Sequence, residues 1–404
     1  MTAVIIGAGQ CGVTAADQLR KLGFEGRILI IGEEQDLPYH RPPLSKQALS
    51  GETTLDQLAI RDKSYFDTKA MELLLGVTVT QIDPANRIVE LSNGTTERYE
   101  TLLLATGARP RPLNIPGRDL QNIFDLRTVN DVRSLLPKLH KAHRIAVIGG
   151  GFIGLEIAAT ARKLGCEVTV LEAQDRLMPR VFPPVMSAWF RDLHKDHGVN
   201  VITGCQVSGF QGNNEVECVI SDAQSIPVDL VVLGIGVVPN VELAESAGLE
   251  CEDGILVDLH CKTSVEKIFA AGDCARHPSP IYNRSVRLES VQNATVQARV
   301  AAHSMLSMED LPNEIPWFWS DQYDVKLQMV GLSEGHDEFI IRGDQRNGNF
   351  TVLYLRNQHV IAADCVNNPL EFVQCRKGID VTRKIDVNRL GNSDISLKEA
   401  LSGR

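Results

Sequence analysis

Two stretches of this chain carry the same short device. VIIGAGQCGVTAADQLRKLG (4–23) and AVIGGGFIGLEIAATARKL (146–164) each pass from an apolar strand pattern through three glycines into a helix pattern. Gly7, Gly9 and Gly12 stand in G-x-G-x-x-G spacing, as do Gly149, Gly151 and Gly154. The spacing leaves little freedom of fold. The first glycine makes a tight strand-to-helix turn, the second admits a pyrophosphate to the backbone, and the third lets the helix pack close to the strand. Backbone N–H groups at the helix start, that of Cys11 included, face the anion.

Each motif opens a βαβ unit, completed by RILIIGEE (27–34) and EVTVLEA (167–173). An acid closes each second strand, Glu33 in the first copy and Glu172 in the second, where a ribose is held. A carboxylate at Glu172 favours NADH over NADPH, because it repels a 2′-phosphate. Arg176, four residues on, is the feature that complicates this preference. Two such sites in one chain point to two dinucleotides, a bound flavin and a diffusing nicotinamide. Cys11 lies inside the first turn, and a small residue filling a tight space explains it better than a redox thiol does.

The copies lie 142 residues apart, so this is a duplicated domain and not a short-period array. Short β patterns follow the first unit at VTVTQID (77–83) and RIVELSNGT (87–95). LLLATGARPRPLNIPG (102–117) runs from a buried strand into three prolines and marks a boundary near 108–112. DLVVLGIGVVPN (229–240) and KIFAAGDCA (267–275) each read as one further strand, and a helix pattern spans 288–307. From 314 the texture changes to short β runs, which predicts a third, α+β domain. The fold class expected is α/β, with two Rossmann-like dinucleotide-binding domains and a C-terminal α+β domain.

Composition narrows the function classes. With 41 basic and 51 acidic residues the formal charge is −10, which argues against nucleic acid as a partner. Nine cysteines, none in CxxC spacing, suit a reducing cytosol better than a disulfide framework. No cluster of Cys and His has metal-ligand spacing. The first strand begins near residue 3, so no leader is expected. The longest apolar stretch, LVVLGIGVVP, falls short of the ~20 residues a membrane span needs. A cytoplasmic protein with no membrane contact is expected.

GAGQCG, PYHRPPLSK, LLLATGARPRP, VIGGGFIGLE, GIGVVPN, AAGDCA, RLESVQNA and PWFWSDQYD together cover the chain. On these motifs it resembles the FAD-dependent, NADH-using ferredoxin reductases of the glutathione-reductase-like class. The likeness is nearest to the putidaredoxin reductase and aromatic-ring dioxygenase reductase branches. It implies an FAD domain at 1–109 and 234–313, an NAD domain at 110–233 and a third domain at 314–404. On matching positions it implies that Cys11, Glu33, Arg41, Lys46, Val79, Arg127, Asp273, Val291 and Trp319 meet FAD. With them go Ala105, Thr106 and Gly107 of LLLATG and Gly272 of AAGDCA. Phe152, Glu172 and Gly236 join the second glycine set at NAD, with Phe152 as a gate over the flavin ring.

The resemblance names Lys46 and Glu156 as a catalytic pair, the lysine close to the isoalloxazine ring. It further implies hydride transfer from NADH to FAD and single-electron transfer to a [2Fe-2S] ferredoxin serving a haem-thiolate monooxygenase or a ring dioxygenase. The competing structural readings are solvated loop charges for Arg41 and Lys46, a helix-surface carboxylate for Glu156, and core packing for Phe152, Trp317 and Trp319. Competing activities are reduction of a disulfide, a rubredoxin or monodehydroascorbate, and NADH sensing. An acidic ferredoxin needs a local basic patch, for which Arg284, Arg287 and Lys326 are candidates.

Overall fold

The computed structural model describes the whole chain except residues 223, 309–313, 393, 403 and 404. It comprises two compact units. The first contains Met1–Arg41, Leu55–Arg109 and Val237–Glu314, and the second Pro42–Thr54, Pro110–Gly236 and Ile315–Arg404. The proline-rich loop is thus divided, with Arg41 in the first unit and Lys46 in the second. The domain edge read at residue 313 lies outside the described residues.

In the first unit, strand Thr2–Ile6 sits at the centre of a five-stranded parallel sheet. Arg27–Gly32 and then Met71–Leu75 lie on one side of it, and Thr101–Leu104 and Ile268–Ala270 on the other. Successive side chains leave opposite faces of a strand, so an unbroken apolar run is buried on both sides. Ile5, Ile28 and Ile30 enter one core with helices Gln10–Lys21 and Val291–Met305, while Val4, Leu29 and Ile31 enter another.

The second unit repeats the layout around Arg144–Ile148. Glu167–Glu172 and Asn200–Thr203 flank it on one side, and Leu230–Leu233 and Ile123–Asp125 on the other, all parallel. In both sheets the strand order reverses beside the glycine-turn strand. The crevice at the carboxyl ends of that point is where such sheets bind ligands.

Two strand readings need correction. DLVVLGIGVVPN is two strands, Leu230–Leu233 and Val237–Pro239, because Gly236 takes φ +93° and turns the chain. KIFAAGDCA is strand only over Ile268–Ala270. Gly272, at φ +85°, ends the run before a new strand forms at Ala275–Ser279. Apolar composition concealed both breaks, and each places a glycine just beyond a sheet strand.

The C-terminal part of the second unit is an antiparallel five-stranded sheet. Its order is Trp317–Gln322, Val325–Gly331, His359–Val366, Asn349–Arg356 and Glu338–Asp344. Helices Pro369–Gly378, Val387–Gly391 and Leu397–Ser402 close a core against it through Phe372, Cys375, Leu390 and Leu401. This is the α+β fold expected there.

Candidate functional site

The two glycine turns are built alike, residue for residue. Gly7 takes φ +115°, and a Cβ there would overlap the Ala105 carbonyl oxygen. Gly149 takes φ +104°, and a Cβ there would overlap the Gly234 carbonyl. The third glycines, Gly12 and Gly154, leave no room for a Cβ beside the carbonyls of Gly7 and Gly149. The middle glycines differ. A Cβ on Gly9 would meet nothing within 4 Å, and one on Gly151 only the Gly234 oxygen at 3.9 Å. Their backbones border open space.

Helices Gln10–Lys21 and Phe152–Lys163 start at Gly9 and Gly151 and have no side-chain cap. Helices Val129–Leu139, Val291–Met305 and Pro369–Gly378 are capped by Thr128, Ser290 and Asn368. Two helix starts without a side-chain cap, beside open space, suit a doubly charged pyrophosphate. Both cradles therefore fit a dinucleotide.

The acids are not equivalent. Gly7 N–H donates to Ile31, and Gly149 N–H to Leu171, so Gly32 and not Glu33 occupies the position of Glu172. Glu33 lies one residue further on and is exposed. Glu172 is half-buried, and its carboxylate accepts the N–H of Gly150 at 2.6 Å and of Gln174 at 2.8 Å. It thereby ties the glycine turn to the strand end. Arg176 is turned away into its own loop, donating to the carbonyls of Phe182 and Pro179 and to Ser187 Oγ. Gly236 accepts the Arg111 N–H at 2.9 Å, close beside Arg180.

Around the first cradle, Ala105, Thr106 and Gly107 leave the end of Thr101–Leu104 and are locked by Asn240. Thr106 Oγ1 donates to the Asn240 carbonyl, Asn240 Nδ2 returns a bond to Thr106, both at 2.8 Å, and Asn240 N–H donates to Gly107. Asn240 was legible only as the last letter of GIGVVPN. Arg41 pairs with Glu34 at 2.6 Å and stacks on Tyr39. Burial lowers its pKa, and Tyr39, Glu34 and Asp273 more than reverse this, so the net shift is upward. Cys11 is buried with its Sγ beside Gly272. Burial, then Cys274, Cys261 and Asp273, push its thiol well up, so it is not a reactive thiolate. Val79 begins a strand opposite Leu91, Val291 follows the Ser290 cap, and Arg127 precedes the Thr128 capping box.

In the second unit, Lys46 and Glu156 form an ion pair with Nζ 2.6 Å from Oε2. The Glu156 side chain is 3% exposed and that of Lys46 13%, so neither is a solvated surface charge. Two hydroxyls absent from the sequence reading complete the carboxylate's shell. Ser45 Oγ donates to Oε2 and Ser320 Oγ to Oε1, each at 2.6 Å. Thr160, one helical turn beyond Glu156, donates to the Ser45 carbonyl and anchors the loop. The signal was present as the serines of PPLSK and FWSDQ, but nothing in spacing links residues 45, 156 and 320.

Phe152 touches Phe318 at 4.8 Å and Phe182 at 5.7 Å between ring centroids and is only half-buried. Trp319 meets Trp317 and Phe318, and Trp317 packs on Phe372 under Arg376. Arg287, a candidate for a basic docking patch, is spent in pairs with Asp253 and Glu289, its side chain 10% exposed.

Known proteins resemble this chain along its length. Residues 1–298 match the family model "Pyridine nucleotide-disulphide oxidoreductase", and 317–401 match "Reductase C-terminal". The chain is 42% identical to putidaredoxin reductase of Pseudomonas putida, over 99% of this chain and 96% of that protein. It is 40% identical to the ferredoxin–NAD(+) reductase component of the anthranilate 1,2-dioxygenase system of Burkholderia cepacia, over 98% of each. The crystal structure of a covalent putidaredoxin reductase–putidaredoxin complex matches with a TM-score of 0.96, 42% identity, and coverage of 99% and 98%. Two dinucleotide cradles followed by a reductase C-terminal fold make this chain a member of the pyridine nucleotide-disulphide oxidoreductase family.

Proposed function

We propose that this protein is an NADH-dependent ferredoxin reductase that delivers electrons to a [2Fe-2S] ferredoxin serving a haem-thiolate monooxygenase or a ring-hydroxylating dioxygenase. FAD and NAD(H) are the cofactors of this oxidoreductase group. One observation carries the reading: two uncapped glycine-turn helices in one chain, with full-length likeness to a putidaredoxin reductase and to the ferredoxin reductase component of a dioxygenase system. We assign the first cradle, with Arg41, Val79, Ala105–Gly107, Asp273 and Val291, to FAD, and Gly149–Gly154, Glu172 and Gly236 to NADH. Arg127, Lys46 and Trp319 complete the FAD set by likeness of motif. The three-domain division at 109/110, 233/234 and 313/314 is part of the same proposal.

Held by the first cradle, FAD would supply the ability to take up two electrons as hydride and to release them singly. The chain's own residues orient and hold charge. Glu156, fixed by Ser45 and Ser320, holds the Lys46 ammonium as a preorganised cation, which is the kind of group that stabilises developing negative charge. Phe152 lies at the start of the NADH helix, packed against Phe182 and Phe318, and by likeness of motif would be the gate where the nicotinamide stacks. Glu172 sets the preference for NADH, and Arg176, bound to its own loop, does not counter it. Disulfide reduction is disfavoured, because Cys11 is a buried thiol of raised pKa.

Among the described residues no helix is long and apolar enough to cross a membrane. All nine cysteines are free, which supports a reducing, cytoplasmic setting. The deciding experiment is steady-state turnover of the holoenzyme with NADH and NADPH against [2Fe-2S] ferredoxins, a rubredoxin and monodehydroascorbate. NADH with a ferredoxin is expected to be fastest. Faster turnover with rubredoxin or monodehydroascorbate overturns the acceptor, and a preference for NADPH overturns the role of Glu172. A long-lived reduced complex that turns over none of the acceptors points to NADH sensing.

A further inference from the structure

A hydrogen-bonded chain runs outward from Glu156, and its direction follows from the acceptor at its end. A carboxylate only accepts. Ser320 Oγ lies 2.6 Å from Glu156 Oε1, so the single hydroxyl proton is committed there. Ser320 Oγ must then accept from Gln322 Nε2, 3.2 Å away. With its amide nitrogen turned to Ser320, Gln322 presents Oε1 to His194 Nε2 at 2.8 Å, and that nitrogen carries a proton. In the neutral ring Nδ1 is then an acceptor, and the Tyr323 hydroxyl stands 3.0 Å from it.

Each link has its own structural support. Ser320 and Gln322 are alternate residues of strand Trp317–Gln322 and share a face. His194 lies in the last turn of helix Pro184–Asp196. Tyr323 takes φ +57°, uncommon for a residue with a side chain, and its ring stacks on His197 with centroids 3.7 Å apart. His194 is 0% exposed, and Ser320 and Gln322 are 1% exposed. Burial pushes the His194 pKa down to about 4, so the ring stays neutral at physiological pH. A space-filling role at residue 194 is met by an aliphatic or aromatic side chain at lower desolvation cost. Here both ring nitrogens are partnered, and every donor in the chain points toward one carboxylate.

We propose that His194 is a positioning residue: acting through Gln322 and Ser320, it holds the Glu156 carboxylate in the orientation that pairs with Lys46. It thereby fixes where the Lys46 ammonium stands. This rests on the assignment of Lys46 and Glu156 to the flavin site.

The test uses the holoenzyme and its His194→Phe, His194→Gln, Ser320→Ala, Glu156→Gln and doubly substituted H194F/E156Q forms. Two quantities are read: the first-order rate of flavin reduction at saturating NADH, and the midpoint potential of the bound flavin. H194F is expected to slow reduction about tenfold to a hundredfold, the upper figure being the effect of a misplacement of about 1 Å at a reacting site. Its Kd for NADH stays within about threefold, and its potential moves in the direction that E156Q moves it. H194Q retains an acceptor for Tyr323 and a donor for Gln322, and it restores both quantities. H194F/E156Q reacts no more slowly than E156Q, because both act through one carboxylate. S320A removes only a hydroxyl and carries the same test if H194F does not fold. Wild-type rate and potential in H194F or S320A beside an impaired E156Q overturn the positioning role alone, as does an additive double mutant. Wild-type behaviour of E156Q overturns the flavin-site assignment and this inference with it.

Discussion

Glu172 does two jobs with one carboxylate. It ties the second glycine turn through Gly150 and Gln174, and we assign it to the ribose of NADH. Glu172→Gln keeps the shape but removes the charge. Charge-assisted hydrogen bonds contribute roughly 1.5–3 kcal/mol, so kcat/KM for NADH is expected to fall about tenfold or more. NADPH, relieved of repulsion, loses less. Measuring kcat/KM for both nucleotides checks this, and an unchanged ratio rejects the assignment. The aligned registers also explain why Glu33 is the weaker analogue. Counting about 20 residues from each glycine set finds both acids, but only the strand register shows Gly32 standing where Glu172 stands.

At the scale of the element, the glycine turn separates folding from binding within one motif. Gly12→Ala forces a Cβ into the Gly7 carbonyl and against Ile5, and overpacking of this kind costs about 1–3 kcal/mol or more. Gly9→Ala meets nothing within 4 Å and changes only a cap, at a cost of about 1 kcal/mol or less. The melting temperature of apo-protein is therefore expected to fall clearly in the first variant and little in the second. FAD affinity is expected to fall at least about tenfold in G9A, since the added methyl occupies the approach to the backbone. Equal melting losses in the two variants contradict this division.

Arg342 shows the same dependence of an element on one residue. Its guanidinium, 4% exposed, pairs with Glu371 and donates to the carbonyls of Leu390, Asn392 and Ile395. Arg342→Met leaves Glu371 and those carbonyls unmatched, at a cost of about 3–5 kcal/mol. Hydrogen exchange in Val387–Gly391 and Leu397–Ser402 is expected to accelerate before the parallel sheets respond.

At the scale of the whole molecule, two buried groups give stability opposite slopes with pH. Asp364, beside Tyr354, is pushed up to about 7 by burial. Between its unfolded value near 4 and about 7, the folded state holds a proton that the unfolded state has lost, so stability falls as pH rises. His194 is pushed down to about 4. Between about 6.5 and 4 the unfolded state binds a proton that the folded state refuses, so stability falls as pH falls. The two slopes oppose each other in the same window. Asp364→Asn removes the first, so urea midpoints are expected to rise relative to wild type at pH 8 and to show a steeper acid decline. A profile parallel to wild type from pH 4 to 8 rejects this account.

The sequence alone determined the architecture, because its signals are local. Glycine spacing, apolar runs and turn residues act over a few residues, and they specify two βαβ units and a β-rich C-terminal part whatever lies elsewhere in the chain. Local signals also erred locally, where GIG and AAGD carry apolar composition through a break that only φ angles at Gly236 and Gly272 reveal. The shell of Glu156 was decided by tertiary structure. A carboxylate buried on the helix after the second glycine turn gathers a lysine and a serine from residues 45–46 and another serine from residue 320. A buried charge must be matched wherever the fold brings donors to it, and separations of more than 100 residues leave no periodicity to read.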